Sequence, residues 1–329
     1  MVRENSKGEQ RVRVITDPAQ FPTELHPSAI TIGKFDGVHL GHAALIQRMS
    51  TVAERSKLSR TVVTFDRHPM ELFAPERAPK PITSLEYRLQ LLAQQNLDAV
   101  VVLPFTRELS ELTPDEFVND LLLEALGMRA LVVGDDFRFG HRGAGNIELL
   151  RAWSQRGAFE LEVVAEVQDA GAVRASSSKL RELLEGGDVA DAARMLGRYH
   201  SVRGTVVHGA KRGRELGFPT ANLSPRDLEG FIPADGVYAG ILHVDGVSYP
   251  TAVSIGNNPT FEGVPQQQVE AYVLDMTIDL YGKLVAIEFV ERVRPMVQFD
   301  SLEALIDGMR GDVVRVRELL SAAGYQQTS

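Results

Sequence analysis

Cysteine is absent from the sequence. That excludes disulfides, thiolate metal sites and a cysteine nucleophile. Also missing is any apolar run near the roughly 18 residues that span a membrane. The opening segment MVRENSKGEQ has no apolar core of the kind a signal peptide needs. It reads as a mobile tail, and the cytoplasm is the expected location. Positive charge is in deficit: Lys+Arg 35 against Asp+Glu 44 gives a net charge of -9. Non-specific nucleic-acid binding needs a positive field, so the expected partners are small molecules rather than nucleic acid or membrane. No internal repeat or low-complexity tract is visible, and nothing in the sequence sets an oligomeric state.

What is present is globular. Hydrophobic residues at 44% and charged residues at 24% exclude a disordered or collagen-like chain. At about 150 residues per domain, the length suggests two domains. Apolar runs at 11–16, 29–35, 60–65, 98–105, 129–134 and 160–167, most of them rich in Val, read as strands without clean alternation. Between them lie helical segments. Thr83 with Glu86, and Thr113 with Glu116 behind Pro114, have the form of capping boxes, and a third segment covers 40–56. Strands alternating with helices imply βαβ crossovers, so an α/β fold with a Rossmann-like, doubly wound parallel sheet is expected over roughly 11–186.

The pattern changes at Gly186-Gly187, which sets expected domains of 1–186 and 187–329. A connector helix at 188–197 precedes strand-like runs at 199–208, 236–244, 247–256, 269–276 and 284–294. Asp245-Gly246 is a hairpin signal, because both turn positions tolerate positive φ. A small antiparallel β-barrel follows from these short strands. A closing α-helix is expected to start at Asp300 with Glu303. Its apolar stripe would be Leu302, Leu305, Ile306, Met309, Val313, Val316 and Leu320.

Two regions carry chemistry. In the first, Gly33-Lys34-Phe35-Asp36-Gly37-Val38-His39-Leu40-Gly41-His42 joins a strand to a helix. His39 and His42 share one face at the helix start, where outward amides favour anions; together they can hold a polyphosphate. Gly41 would let a nucleotide approach the backbone. Two bland surface histidines, or a metal site with Asp36, are the rival readings. The second region, 208–222, reads HGAKRGRELGFPTAN. Gly209, Gly213 and Gly217 recur among Lys211, Arg212 and Arg214, a loop able to wrap phosphates, although it is not a Walker A loop. Solvated surface charge is the alternative. Thr220 and Asn222 offer hard oxygens suited to Mg²⁺.

The H-x-G-H element resembles the nucleotidylyltransferase superfamily, which shares it with class I aminoacyl-tRNA synthetases. Ser176-Ser177-Ser178-Lys179-Leu180-Arg181 resembles the late hydroxyl-rich motif of such enzymes. Thr64-Phe65-Asp66-Arg67-His68-Pro69 and Gly134-Asp135-Asp136-Phe137-Arg138-Phe139-Gly140 resemble the FMN adenylyltransferase module of prokaryotic bifunctional riboflavin kinase/FAD synthetases. Arg67 departs from the usual T-F-D-P-H-P. Phe137 and Phe139 could pack on flavin or on the core. Residues 208–222 resemble the G-R-x-L-G-F-P-T-A-N segment of the riboflavin kinase barrel. Pro233–Tyr238, Gly256–Phe261, Val269–Tyr272 and Asp279–Gly282 agree with that barrel in order.

The resemblance implies two reactions: ATP phosphorylates riboflavin to FMN, and a second ATP adenylylates FMN to FAD with release of pyrophosphate. Mg²⁺ is implied in both. Catalytic roles fall on Glu270, as general base, and on His39, His42 and Arg181. Binding roles fall on Gly33, Phe35, Asp36, Gly41, Asp66, Asp136, Ser177 and Ser178, and in the barrel on Gly209, Lys211, Gly213, Gly217, Thr220 and Asn222, the last two also as metal ligands. From spacing alone Glu270 is a solvent-facing strand carboxylate. Three alternatives stand beside this reading: a monofunctional riboflavin kinase with an inactive first domain, a flavin-binding regulator or nucleic-acid module without turnover, and a synthetase.

Overall fold

The computed structural model describes residues 12–165, 175–209, 217–256, 267–276 and 278–325. The expected N-terminal tail and the 210–216 part of the glycine-rich loop, with Lys211 and Gly213, lie outside them. So does 257–261 of the Gly256–Phe261 segment. Contacts divide the chain into two units, Met1–Ser176 and Ser177–Ser329.

The first unit is built on strands β1 (Arg13–Ile15), β2 (Ser28–Ile32), β3 (Ser59–Phe65), β4 (Ala99–Leu103), β5 (Met128–Gly134) and β6 (Glu160–Val164). They form one sheet in the order β1-β4-β3-β2-β5-β6, and every pairing is parallel. Helices α1 (Leu40–Ser56), α2 (Pro69–Phe73), α3 (Leu85–Ala93), α4 (Arg107–Glu111), α5 (Pro114–Glu116) and α6 (Ile147–Gln155) lie between strands, with a π-helical turn Phe117–Ala125 continuing α5. Adjacent residues explain the missing alternation. Val62, Val100 and Val132 pack under α1 and α3 with Ile46, Met49 and Leu92. Val63, Val101 and Val133 pack on the opposite face with Phe117, Leu122 and Leu150. Both faces are covered, so both residues of each pair are apolar. From β2 the chain winds outward through β3 and β4 on one side and continues at β5 on the other. The switch point therefore sits at the carboxyl end of β2, where open α/β sheets bind ligands.

The capping box at Thr113 forms as expected: Thr113 Oγ1 accepts from Glu116 N at 3.2 Å, and Glu116 Oε2 accepts from Thr113 N at 2.8 Å. The box at Thr83 does not form. Ser84 caps α3 instead, accepting from Tyr87 N at 3.2 Å, because Thr83 Oγ1 already accepts from Gly37 N at 3.3 Å.

The second unit is a closed antiparallel barrel. Its strands are β7 (His200–Val207), β8 (Ala221–Leu223), β9 (Gly236–Val244), β10 (Val247–Gly256), β11 (Gln268–Val273) and β12 (Leu284–Pro295), in the order β10-β11-β8-β7-β12-β9. β8 has three residues, too few to show periodicity in sequence. At the β9–β10 turn Asp245 and Gly246 take φ of 51° and 78°, the geometry that the Asp-Gly pair predicts. Helices α7 (Ser177–Gly186) and α8 (Val189–Leu196) precede the barrel, and α9 (Leu302–Ala322) closes the chain.

Val316 and Leu320 of α9 pack on Ala239, Ile241, Leu274 and Val290. Leu302 of the expected stripe is exposed instead. The cap of α9 is Ser301, accepting from Ala304 N at 3.1 Å, one residue beyond Asp300. Asp312 forms a two-point pair with Arg294, at 2.8 and 2.7 Å, and ties the helix to β12.

The division of the chain falls before α7, ahead of the 186/187 boundary expected from the sequence. The reason is local. Leu184 O accepts from Ala234 N at 2.9 Å, and Gly186 O accepts from Arg292 Nη1 at 2.9 Å. These bonds hold α7 to the segment entering β9 and to β12.

His200 sits at the root of this unit. It is buried against Phe289, with its Nε2 2.7 Å from Phe231 O. Burial is the main cause that pushes its pKa from 6.5 down to about 4. The unfolded chain therefore binds a proton that the folded chain refuses. Stability is retained above the unfolded value and declines as pH falls from about 6.5 towards about 4, by about 3 kcal/mol in full. Between about pH 7 and about pH 5 the loss is about 2 kcal/mol. Urea titrations at the two pH values check this; His200→Gln is expected to flatten the difference.

Candidate active sites

In the first unit the loop after β2 is pinned from below. Phe35 and Val38 are buried in the core under α1, although both adopt left-handed φ of 49° and 41°. His39 is the N-cap of α1. Its Nδ1 accepts from His42 N at 3.3 Å, and His42 Nδ1 accepts from His39 N at 3.3 Å. This is a capping box in which two imidazoles replace the usual hydroxyl and carboxyl groups. The rings stack with centroids 3.6 Å apart and 16° between their planes. Because both Nδ1 atoms accept hydrogen bonds, each neutral ring carries its proton on Nε2. Each ring then carries one further N–H, on Nε2, beyond the reciprocal cap.

Several expected residues hold this arrangement from within. Asp36 is buried and accepts from Ile82 N at 3.0 Å and Thr83 N at 3.2 Å, so its carboxylate ties the loop to the segment before α3. A Cβ at Gly41 would stand 3.1 Å from the His39 ring and 3.4 Å from Ala175 O. That space is filled by the chain's own imidazole. A Cβ at Gly33 would meet the Phe35 ring at 3.3 Å. Asp66 accepts from Phe105 N at 2.8 Å and from Arg67 at 3.2 Å, joining the ends of β3 and β4.

The turn after Arg67 does not need a proline there. His68 Nδ1 accepts from Met70 N, Glu71 accepts from His68 N, and Pro69 opens α2. Asp136 is exposed. Phe139 is buried among Phe117 and Trp153, and Phe137 stacks on it. Phe139 belongs to the core, and Phe137 is half-buried at its edge. An aromatic group at the ligand edge was not legible in the sequence: Phe65, Phe105 and the 60% exposed Phe73 meet edge to face beyond β3 and β4.

In the second unit Ser177, Ser178 and Arg181 open α7. Ser177 and Arg181 are half-buried, Ser178 is exposed, and Leu180 and Leu184 anchor the helix. At the barrel, Glu270 on β11 lies opposite Asn222 of β8 and Ser254 of β10. Val269, Ala271 and Val273 are buried, and Glu270 and Tyr272 on the alternate face are half-buried, as the strand alternation predicts. Thr220 Oγ1 donates to Glu270 Oε2 at 3.1 Å, and Asn222 Nδ2 donates to Thr220 Oγ1 and O at 3.3 Å. A Cβ at Gly209 would stand 2.4 Å from the Asn222 amide carbon, so only glycine leaves Asn222 this position. Gly217 has φ of 88° and enters the Phe218-Pro219-Thr220 run. Among the described residues no three His, Asp or Glu side chains gather as a metal cage.

The comparisons with known proteins find two families in succession along the chain. A model of the FAD synthetase family matches residues 21–179, and a model of the riboflavin kinase family matches 196–320. A bifunctional riboflavin kinase/FMN adenylyltransferase of Escherichia coli (strain K12) is 36% identical over 308 residues, covering 93% of this chain and 96% of that protein. The chain belongs to the bifunctional riboflavin kinase/FMN adenylyltransferase family. A member from Listeria monocytogenes is 36% identical over 284 residues, covering 86% of this chain and 89% of its own. Among solved structures, a Streptococcus pneumoniae protein named as a macrolide-efflux protein matches with a TM-score of 0.82 at 30% identity. It covers 93% of this chain and 98% of its own. Here, among the described residues, no helix is long and apolar enough to cross a membrane. The chain is an enzyme of flavin-cofactor synthesis, which removes the turnover-free regulator and the synthetase from consideration.

Proposed function

We propose that each unit carries one of the family's two reactions and that the residues described above perform them. Riboflavin is phosphorylated in the barrel. Glu270 takes the proton of the riboflavin 5′-hydroxyl as that oxygen attacks the γ-phosphorus of ATP, and ADP leaves. FMN is adenylylated in the sheet unit. An oxygen of the FMN phosphate attacks the α-phosphorus of a second ATP, and pyrophosphate leaves. No enzyme nucleophile is needed, in keeping with a chain that has no cysteine.

The observation that carries the reading is the reciprocal imidazole cap. Stacked and fixed through Nδ1, His39 and His42 hold their rings at the start of a 17-residue helix, each with an N–H on Nε2. Preorganised donors of this kind stabilise the charge that develops on transferring phosphates. Ser177, Ser178 and Arg181, at the start of α7, are hydroxyls and a guanidinium of the kind that binds phosphate. The Phe65, Phe73 and Phe105 edges offer the flavin ring an apolar platform.

Thr220 Oγ1 and the Asn222 amide oxygen fit Mg²⁺ in the kinase reaction. They are neutral hard oxygens without a carboxylate cage, the donor set of a Mg²⁺ bound largely through substrate phosphates. When bound, the ion would neutralise charge on the β- and γ-phosphates. Two ATP-consuming steps suit the cytoplasm. A Mg²⁺ titration of both reactions tests the assignment. Chelation is expected to stop both, and Thr220→Val is expected to raise the Mg²⁺ needed for FMN formation alone. An unshifted requirement in that variant would remove Thr220 from the metal site.

A further inference from the structure

Arg88, in the first turn of α3, is 7% exposed, and among the described residues no carboxylate is hydrogen-bonded to its guanidinium. A buried cation is costly unless hydrogen bonds define its place. Here Nη1 donates to Lys34 O at 2.7 Å and to Phe65 O at 3.1 Å, with Thr64 Oγ1 at 3.4 Å. Thr64 Oγ1 also donates to Lys34 O, at 3.1 Å. Lys34 belongs to the loop leading to His39, and Phe65 ends β3. One guanidinium therefore joins the carboxyl ends of the two neighbouring strands that carry the H-x-G-H and T-F-D-R-H-P segments.

The residues just ahead of α3 act on the same loop. Asp36 accepts from the amides of Ile82 and Thr83, and Gly37 N donates to Thr83 Oγ1. Between these ties, Phe35 and Val38 are held at left-handed φ, which residues other than glycine avoid. Such backbone persists only where its surroundings over-determine it. A helix needed only to cover the sheet would place an apolar side chain at this buried position.

We propose that Arg88 is a positioning residue for adenylyl transfer: it clamps the strained loop so that His39 and His42 keep their stacked, phosphate-facing geometry. This rests on the reading of the two histidines as the phosphate-binding pair.

The test uses the full chain with Arg88→Lys, Arg88→Met and His42→Ala. FAD formation from supplied FMN gives kcat and the KM for ATP; FMN formation by the other unit is followed in parallel. The imidazole Cε1–H signals of His39 and His42, read by NMR, report the stacking. Arg88→Met is expected to lower kcat for FAD formation about 10²-fold, the effect of displacing a catalytic group by about 1 Å. The KM change should be smaller. Arg88→Lys keeps the charge, but its shorter side chain ends short of the Nη1 position that bonds both carbonyls, and it is expected to lose about tenfold. Both should shift the two histidine signals and leave FMN formation unchanged.

Parental kcat in Arg88→Lys would overturn the proposal, and that variant decides if Arg88→Met does not fold. A fall in kcat with unmoved histidine signals would overturn it too. If His42→Ala makes FAD at the parental rate, the reading of the histidine pair fails. If His42→Ala stops FAD formation and Arg88→Lys does not slow it, the clamp alone fails.

Discussion

His42→Ala is expected to end FAD formation while FMN still accumulates. The substitution removes more than one donor. It deletes the Nε2–H proposed to bind the phosphates, the Nδ1 acceptor of His39 N, and the stacking partner of the His39 ring. Loss of one preorganised donor in a charge-stabilising site costs about 10²–10³ in turnover. Here the second imidazole loses its orientation as well, so the combined loss exceeds that range. The kinase residues lie in the other unit, so FMN formation is expected at the parental rate. Chromatographic separation of the flavins over time is the measurement. Normal FAD output would remove the pair from catalysis.

The mirror result is expected for Glu270. Glu270→Ala should slow FMN formation by about 10²–10⁴-fold, the usual contribution of a positioned general base. FAD formation from supplied FMN should be untouched. Phosphoryl transfer depends mainly on positioning and charge neutralisation, so some turnover persists without the base. Because Thr220 Oγ1 donates to Glu270, truncation also frees that hydroxyl. Glu270→Gln separates the two effects, since the amide oxygen can still accept from Thr220 but cannot take a proton. A base predicts that Gln is about as slow as Ala; a purely structural carboxylate predicts recovery with Gln.

Most of the architecture was legible because its signals are local or repeat at a fixed period. Six apolar runs alternating with helical segments predicted the parallel sheet, and burial on both faces accounts for their lack of alternation. Asp245-Gly246 placed a hairpin that takes the expected backbone angles. What escaped depends on contacts between distant residues. Nothing near Thr83 in sequence shows that its hydroxyl is taken by Gly37, which moves the helix cap to Ser84. Helix α7 follows the first sheet in sequence, but Ala234 and Arg292 bind its carbonyls and draw it into the second unit.

The sites divide in the same way. His39, His42, Thr220, Asn222 and Glu270 were visible as motifs, and the structure gives them partners. Asp36 was expected to bind ligand, and its carboxylate accepts from the amides of Ile82 and Thr83, contacts no local motif signals. Phe137 and Phe139 were open between flavin and core; packing with Phe117 and Trp153 places Phe139 in the core, and Phe137 stacks on it half-buried. Arg88 carried no signal at all. An arginine in an amphipathic helix reads as a solvated charge until the Lys34 and Phe65 carbonyls are seen beneath it.

The most direct test of two separate sites on one chain is a mixing experiment. Glu270→Ala and His42→Ala chains are combined in equal amounts with riboflavin, ATP and Mg²⁺, and the flavins are followed over time. Alone, the first should leave most riboflavin unconverted and the second should stop at FMN. Together they are expected to restore FAD, with FMN appearing first and then declining. A mixture that accumulates FMN and yields no FAD, although the Glu270→Ala chain converts supplied FMN, would contradict two independently acting sites linked by free FMN.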